Sequence, residues 1–281
     1  MDKKEKCLSL CEVLISTYQK DSQYESIIAS MCNNAGYDTL SRIYIGSNFC
    51  SQYFLNCKID IVQPLIEFCE KNNVKVTLCL PIFSEKDIDK AKERINYVIN
   101  NYDDIVDEFT VNDYGMLDYI SSEYSNVKIN IGRLFNKESR DARYVDYNKG
   151  VYSPNLLSVK KSFLEQYNIN SIEIDPVHQV IDLSESVNQD TMVAVYTPFC
   201  YVTMGHICEY ASIPLPLDKK FRPNTHCHAP CANTFITYDV KEFSYVKVGR
   251  AVYFRQDDIK LVNANKYREI YQPFDVFGVS I

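Results

Sequence analysis

Short apolar runs that stop at a glycine, a proline or a polar residue alternate with amphipathic stretches along most of this chain, and no other feature narrows its fold as much. Residues 42–46 (RIYIG), 74–80 (VKVTLCL), 108–111 (EFTV), 127–131 (VKINI), 171–174 (SIEI) and 192–196 (MVAVY) each read as a buried strand. Between them, Ile61, Leu65, Ile66 and Cys69 recur at helical spacing, and Ile88, Ala91, Ile95 and Val98 mark one face of a helix over 85–100. Further helices are expected at 7–19, 114–122 and 158–167. A βα rhythm of this kind builds a parallel sheet covered by helices. With 281 residues, one α/β barrel of about 250 residues takes up nearly the whole chain, as a single domain over 1–281 whose ring is complete, incomplete or distorted. The alternating run YVKVGRAVYF points to a terminal β segment over 236–281, packed on the barrel.

The formal charge of −7 argues against binding nucleic acid by phosphate neutralisation. The opening apolar run is short and broken by Ser9, Cys11 and Glu12, and no stretch reaches the roughly 20 apolar residues of a membrane span. A soluble, cytoplasmic protein with no membrane span is expected. In that compartment eleven cysteines are reduced core thiols or metal ligands rather than a disulfide framework.

Four of the cysteines lie between Cys200 and Cys231, in CYVTMGHIC and CHAPC, within a loop region over 197–235. Pro214, Pro216, Pro223 and Pro230 exclude helix interiors and central strands there, so the backbone is irregular and needs an anchor. Thiolates on a metal ion or an iron–sulfur centre supply one. Zinc is an alternative because His206, His226 and His228 stand beside the thiols. Inert thiols are the third reading. Cys7, Cys11, Cys32, Cys57, Cys69 and Cys79 sit in apolar patterns and read as small hydrophobes.

Parallel α/β folds place their working groups at the carboxyl ends of strands. That rule sets GSNFC, PIFS, NDYG, GRLFN, DPVH and the Cys-rich loop on one face, and carries Cys50 to the loop despite the distance in sequence. Asn112 and Asp113 are candidates for orienting a substrate, with a helix cap at Asp113 as the bland reading. Arg133 and Asn136 are candidates for holding an anionic substrate, or else brace the loops. His178 reads as structural. His206, between candidate ligands, is the better proton donor, with Asp113 as the other catalytic candidate.

GSNFCS, EFTVNDYGML, IGRLFN and the pattern C, G-x-x-C-x-x-x-S, C-x-x-P-C resemble the collagenase-like peptidase family U thirty-two over roughly residues 40–235. Within it, the first-strand cysteine with the later C-x-x-P-C looks most like the smaller iron–sulfur subunit of the anaerobic ubiquinone-hydroxylation pair. The resemblance implies a TIM-like barrel carrying a 4Fe-4S cluster on Cys50, Cys208, Cys227 and Cys231, with Cys200 as the alternate ligand. It also implies oxygen-independent hydroxylation, or a related redox change, of a small aromatic or anionic substrate. One departure stands out: two residues rather than one separate Gly205 from Cys208.

No H-E-x-x-H helix and no G-x-S-x-G elbow occurs, so peptidase activity rests on the family's name alone. Two classes of function remain: a redox enzyme or its catalytic half, and a non-catalytic cluster-bearing partner of a paralogous subunit in a heterodimer.

Overall fold

The computed structural model describes residues 4–20, 23–136, 140–141, 143, 151–152, 161–177, 180–184, 187–188, 190–262, 264 and 266–274. Eight strands close into a parallel barrel: β1 (Glu5–Ser9), β2 (Arg42–Gly46), β3 (Lys75–Leu80), β4 (Val106–Val111), β5 (Lys128–Ile131), β7 (Ile169–Ile174), β9 (Met192–Thr197) and β15 (Lys266–Tyr271). They stand round the ring in that order, and β15 closes it between β9 and β1. Helices α1 (Leu14–Lys20), α2 (Tyr24–Asn34), α3 (Ser51–Asn56), α4 (Ile59–Lys71), α5 (Ile88–Tyr102), α6 (Tyr114–Glu123) and α7 (Lys161–Gln166) fill the connections.

Strand residues alternate between two cores. Ile43, Ile45, Val76, Leu78, Phe109 and Val111 belong to the large apolar shell that includes the helices, whereas Cys7, Tyr44, Cys79, Ala194, Tyr196 and Ile270 form a separate cluster with Cys11. Charged residues from separate strands meet across the ring. Arg268 and Arg42 both pair with Glu108, Arg268 donates to Tyr44 Oη, and Thr110 Oγ1 and Tyr196 Oη donate to Glu173 at 2.5 and 2.9 Å.

After β9 the chain leaves the ring. β10 (Phe199–Met204), β11 (Ile236–Val240), β12 (Phe243–Val248) and β13 (Ala251–Arg255) form an antiparallel sheet in the order β10-β13-β12-β11, and the short helix α8 (Glu209–Ser212) lies in the long β10–β11 connection. β6 (Val151–Tyr152), β8 (Val180–Asp182) and β14 (Leu261–Val262) make a small parallel sheet.

The expected barrel is present, and its ring is closed rather than incomplete. Two expectations change. Residues 5–9 are a barrel strand rather than part of a helix over 7–19, because EKCLS pairs with both β2 and β15 and the helix starts only at Leu14. The segment after 236 is no single terminal element, since β11–β13 extend β10 while β15 returns to the barrel. Part of the expected 158–167 helix, all of 144–150, and His178 lie outside the described residues.

Candidate functional site

The GSNFC turn is built on Glu12. Gly46 has φ +98° and a Cβ there would stand 2.4 Å from Cys79 O, so only glycine lets β2 end against β3 in this way. Glu12, itself at φ +65°, accepts from Ser47 Oγ at 2.6 Å and Asn48 N at 2.7 Å through Oε1. Ser47 Oγ in turn accepts from Cys50 N at 2.8 Å, and Cys50 Sγ caps α3 by accepting from Tyr53 N at 3.5 Å. Burial pushes the Glu12 carboxyl up from its ordinary value, and its Oε2 is buried without a partner among the described residues.

The other thiols come from the β10–β11 connection. Cys208 precedes α8, and between Cys227 and Cys231 the backbone turns through Ala229 at φ 51°, ψ 53° into a 3₁₀ turn over Pro230–Asn233. A left-handed alanine costs about 1–2 kcal/mol, which the surroundings must offset. Asn56 Nδ2 of α3 donates to Cys227 O at 2.9 Å, tying the CHAPC turn to the helix that Cys50 caps. The Gly249–Arg250 hairpin presses on the same place. An added Cβ at Gly249 would lie 3.8 Å from Cys231 Sγ, Arg250 Nε donates to Gly205 O at 2.6 Å, and Arg250 Nη2 lies 3.1 Å from His206 Nδ1.

Cys50, Cys208, Cys227, Cys231, His206 and Arg250 line one cavity. The cavity is about 20 Å3, too small for an organic substrate. Among the described residues no group of three or more His, Cys, Asp or Glu side chains is arranged to hold a metal ion. Burial pushes Cys50 up to about 11 and raises Cys227 and Cys231 as well, so thiolate chemistry here requires a positive centre to displace the protons. Cys200 is buried on β10 opposite Phe254 and is not part of the cavity wall.

The same turn reaches the polar groups at the strand ends. Asn48 Nδ2 donates to Tyr196 Oη at 3.2 Å, and Asn112 Nδ2 donates to Leu80 O at 3.1 Å and lies 3.4 Å from Asn48 Oδ1. The Phe49 ring is 5.0 Å from the Arg133 guanidinium, which also lies 3.6 Å above Tyr196. Arg133 is fully buried; its Nη1 donates to Asp175 Oδ1 at 2.9 Å and its Nη2 to Gln272 Oε1 at 3.0 Å. Arg133 Nε and both amide atoms of Asn136 are buried without partners among the described residues. Asp113 caps α6, accepting from Met116 N at 2.9 Å, and burial raises its carboxyl. Asn48, Phe49 and Cys50 thus join Asn112, Arg133 and the thiol cavity within three successive residues, while His206 is exposed on the far side of that cavity.

Glu12, Glu173, Asp175, Arg250 and Gln272 belong to this region and are not among the sequence-derived candidates. Asp175 and Gln272 directly follow β7 and β15, so strand ends are the signal for them. Glu173 shows itself as a carboxylate alternating with isoleucines in SIEI. Nothing in the sequence singles out Glu12 or Arg250. No family model, no curated protein and no solved structure matches this chain, so the geometry of the site has to carry any functional reading.

Proposed function

We propose that this chain is an iron–sulfur protein in which Cys50, Cys208, Cys227 and Cys231 hold a 4Fe-4S cluster, serving oxygen-independent hydroxylation or a related redox change of a small aromatic or anionic substrate. One observation carries the reading: four thiols from two distant parts of the chain line a single narrow cavity. A single zinc ion needs donors about 3.8 Å apart to keep tetrahedral bonds of about 2.3 Å, whereas a cubane spreads its four ligands over the corners of a larger core. When bound, the cluster supplies one-electron redox capacity.

The chain's own residues do the rest. Arg250 places positive charge beside Cys50 and Cys227. Arg133 Nε and the Asn136 amide are buried polar atoms with no partner among the described residues, and would meet a carboxylate or carbonyl of the substrate only where the loops around them part. Glu173, pushed up to about 7 by burial and bonded to Tyr196 Oη, holds an exchangeable proton close to neutral pH. The resemblance to peptidase family U thirty-two supports the same ligand set. The complete enclosure of Arg133 favours a second reading, a cluster-bearing partner that turns over substrate only with a paralogous subunit.

Protein purified without oxygen should be brown and contain roughly four irons and four sulfides per chain. A colourless protein with stoichiometric zinc sinks the proposal.

A further inference from the structure

A second site lies on the outer wall of the barrel. Between α4 and α5 the helix layer parts and leaves a cleft of about 500 Å3, floored by Ile45 of β2 and Leu78 of β3 and walled by Val62 and Val98. That is the size of a small-molecule pocket; its floor is apolar, and Lys58, Asp60 and Arg94 are the charged residues of its wall. Ile59 and Tyr97, 40% and 46% exposed, also belong to the wall. Water-exposed apolar side chains gathered round a concavity, rather than scattered singly, mark a binding surface.

Arg94 fixes the chemistry of what binds. Its Nη1 donates to Phe54 O at 2.5 Å and Cys57 O at 2.8 Å, closing the end of α3. The opposite edge, Nε with Nη2, has no partner among the described residues, and no carboxylate among them pairs with this half-buried cation. Arg94 also lines a polar groove of about 520 Å3 that runs past Gln52 and Asn56 to His226. It therefore stands where the apolar cleft meets a polar one. The free edge of a guanidinium presents two parallel N–H groups that match a carboxylate.

We propose that the cleft binds an apolar carboxylate, a chain or ring packed on Ile45, Leu78 and Val98 with its carboxylate held side-on by Arg94. This site is separate from the thiol cavity, and its test does not depend on which metal the protein carries. The probe is cis-parinarate, followed by fluorescence on the intact protein, with decanoate and decanol as competitors. Saturable one-to-one binding is expected, with decanol competing about tenfold less well than decanoate. Arg94→Lys should weaken decanoate about tenfold by removing the paired donors and leave decanol unchanged. Ile59→Glu, at an exposed position, should weaken both. No saturable binding, equal competition by acid and alcohol, or an Ile59→Glu protein that binds as wild type would each overturn the proposal. If Arg94→Lys fails to fold, the comparison of competitors and the Ile59→Glu result still decide it.

Discussion

Asn112 shows how one side chain holds the strand ends together. Its Nδ2 donates to Leu80 O at 3.1 Å and its Oδ1 accepts from Leu134 N at 3.3 Å, so it links the turns after β3 and β5. Gly132 exists to let it in, since a Cβ there would lie 2.4 Å from Asn112 Oδ1 and 2.7 Å from Cγ. Gly132→Ala should therefore cost about 1–3 kcal/mol, the usual penalty for overpacking. In an Asn112→Ala background the same change should cost much less, because the clash is gone. Denaturant unfolding of the two single variants and the double variant measures this coupling; additive costs would refute the contact. From sequence Gly132 marked only the end of a strand. The need for glycine comes from a side chain twenty positions away, which no local pattern displays.

At the scale of elements, the thiol site is assembled by three turns and by Cys208 at the start of α8. The Glu12-bound GSNFC turn supplies Cys50, the left-handed Ala229 turn supplies Cys227 and Cys231, and the Gly249–Arg250 hairpin closes the wall. Cys50→Ala, Cys208→Ala, Cys227→Ala and Cys231→Ala should each abolish the visible absorption of the anaerobic protein, while Cys200→Ala should largely keep it. Bleaching by Cys200→Ala with retention by Cys50→Ala would reverse the ligand assignment. The repeat of strand and helix was legible because the outward strand faces are continuous runs of Ile, Val and Leu. β1 and β15 were not, for a physical reason. EKCLS is short and runs into CEVLIST, so its apolar residues fit helical and strand spacing alike. KYREIY places Arg268 against Glu108 and Tyr44 inside the ring, so its buried face carries a charge with only Ile270 beside it and shows no apolar alternation. The position of Cys50 beside the distant CHAPC turn was legible because strand ends share one face; the role of Glu12 was not, since it depends on a tertiary turn.

For the whole molecule, two buried carboxylates give opposite pH dependence. Burial raises Glu108, but Arg268 and Arg42 outweigh it and hold the group at about 2 against an ordinary 4.5. Its contribution is complete above the unfolded value and is lost as pH falls from about 4.5 to about 2. Glu173 is raised to about 7 by burial, partly offset by Thr110 and Arg133, so its contribution is present below about 4.5 and is lost as pH rises through 7. Stability should peak near pH 5. Glu173→Gln should flatten the loss between pH 5 and 8 by up to about 3 kcal/mol, read from unfolding midpoints across that range; an unchanged slope would mean that Glu173 titrates normally.

The closure of the ring by β15 also has a temporal side. Glu5 and Arg268, bonded across the β1–β15 seam, lie 263 positions apart. Synthesis at about 5–20 residues per second separates their appearance by roughly 15–50 s. Through that interval one edge of β1 is unpaired, one edge of β9 is unpaired from the time that strand is made, and Gln272 has not yet emerged to meet Arg133. The nascent chain therefore displays an open flank until β15 appears, and its demand for chaperones should fall sharply once that strand pairs.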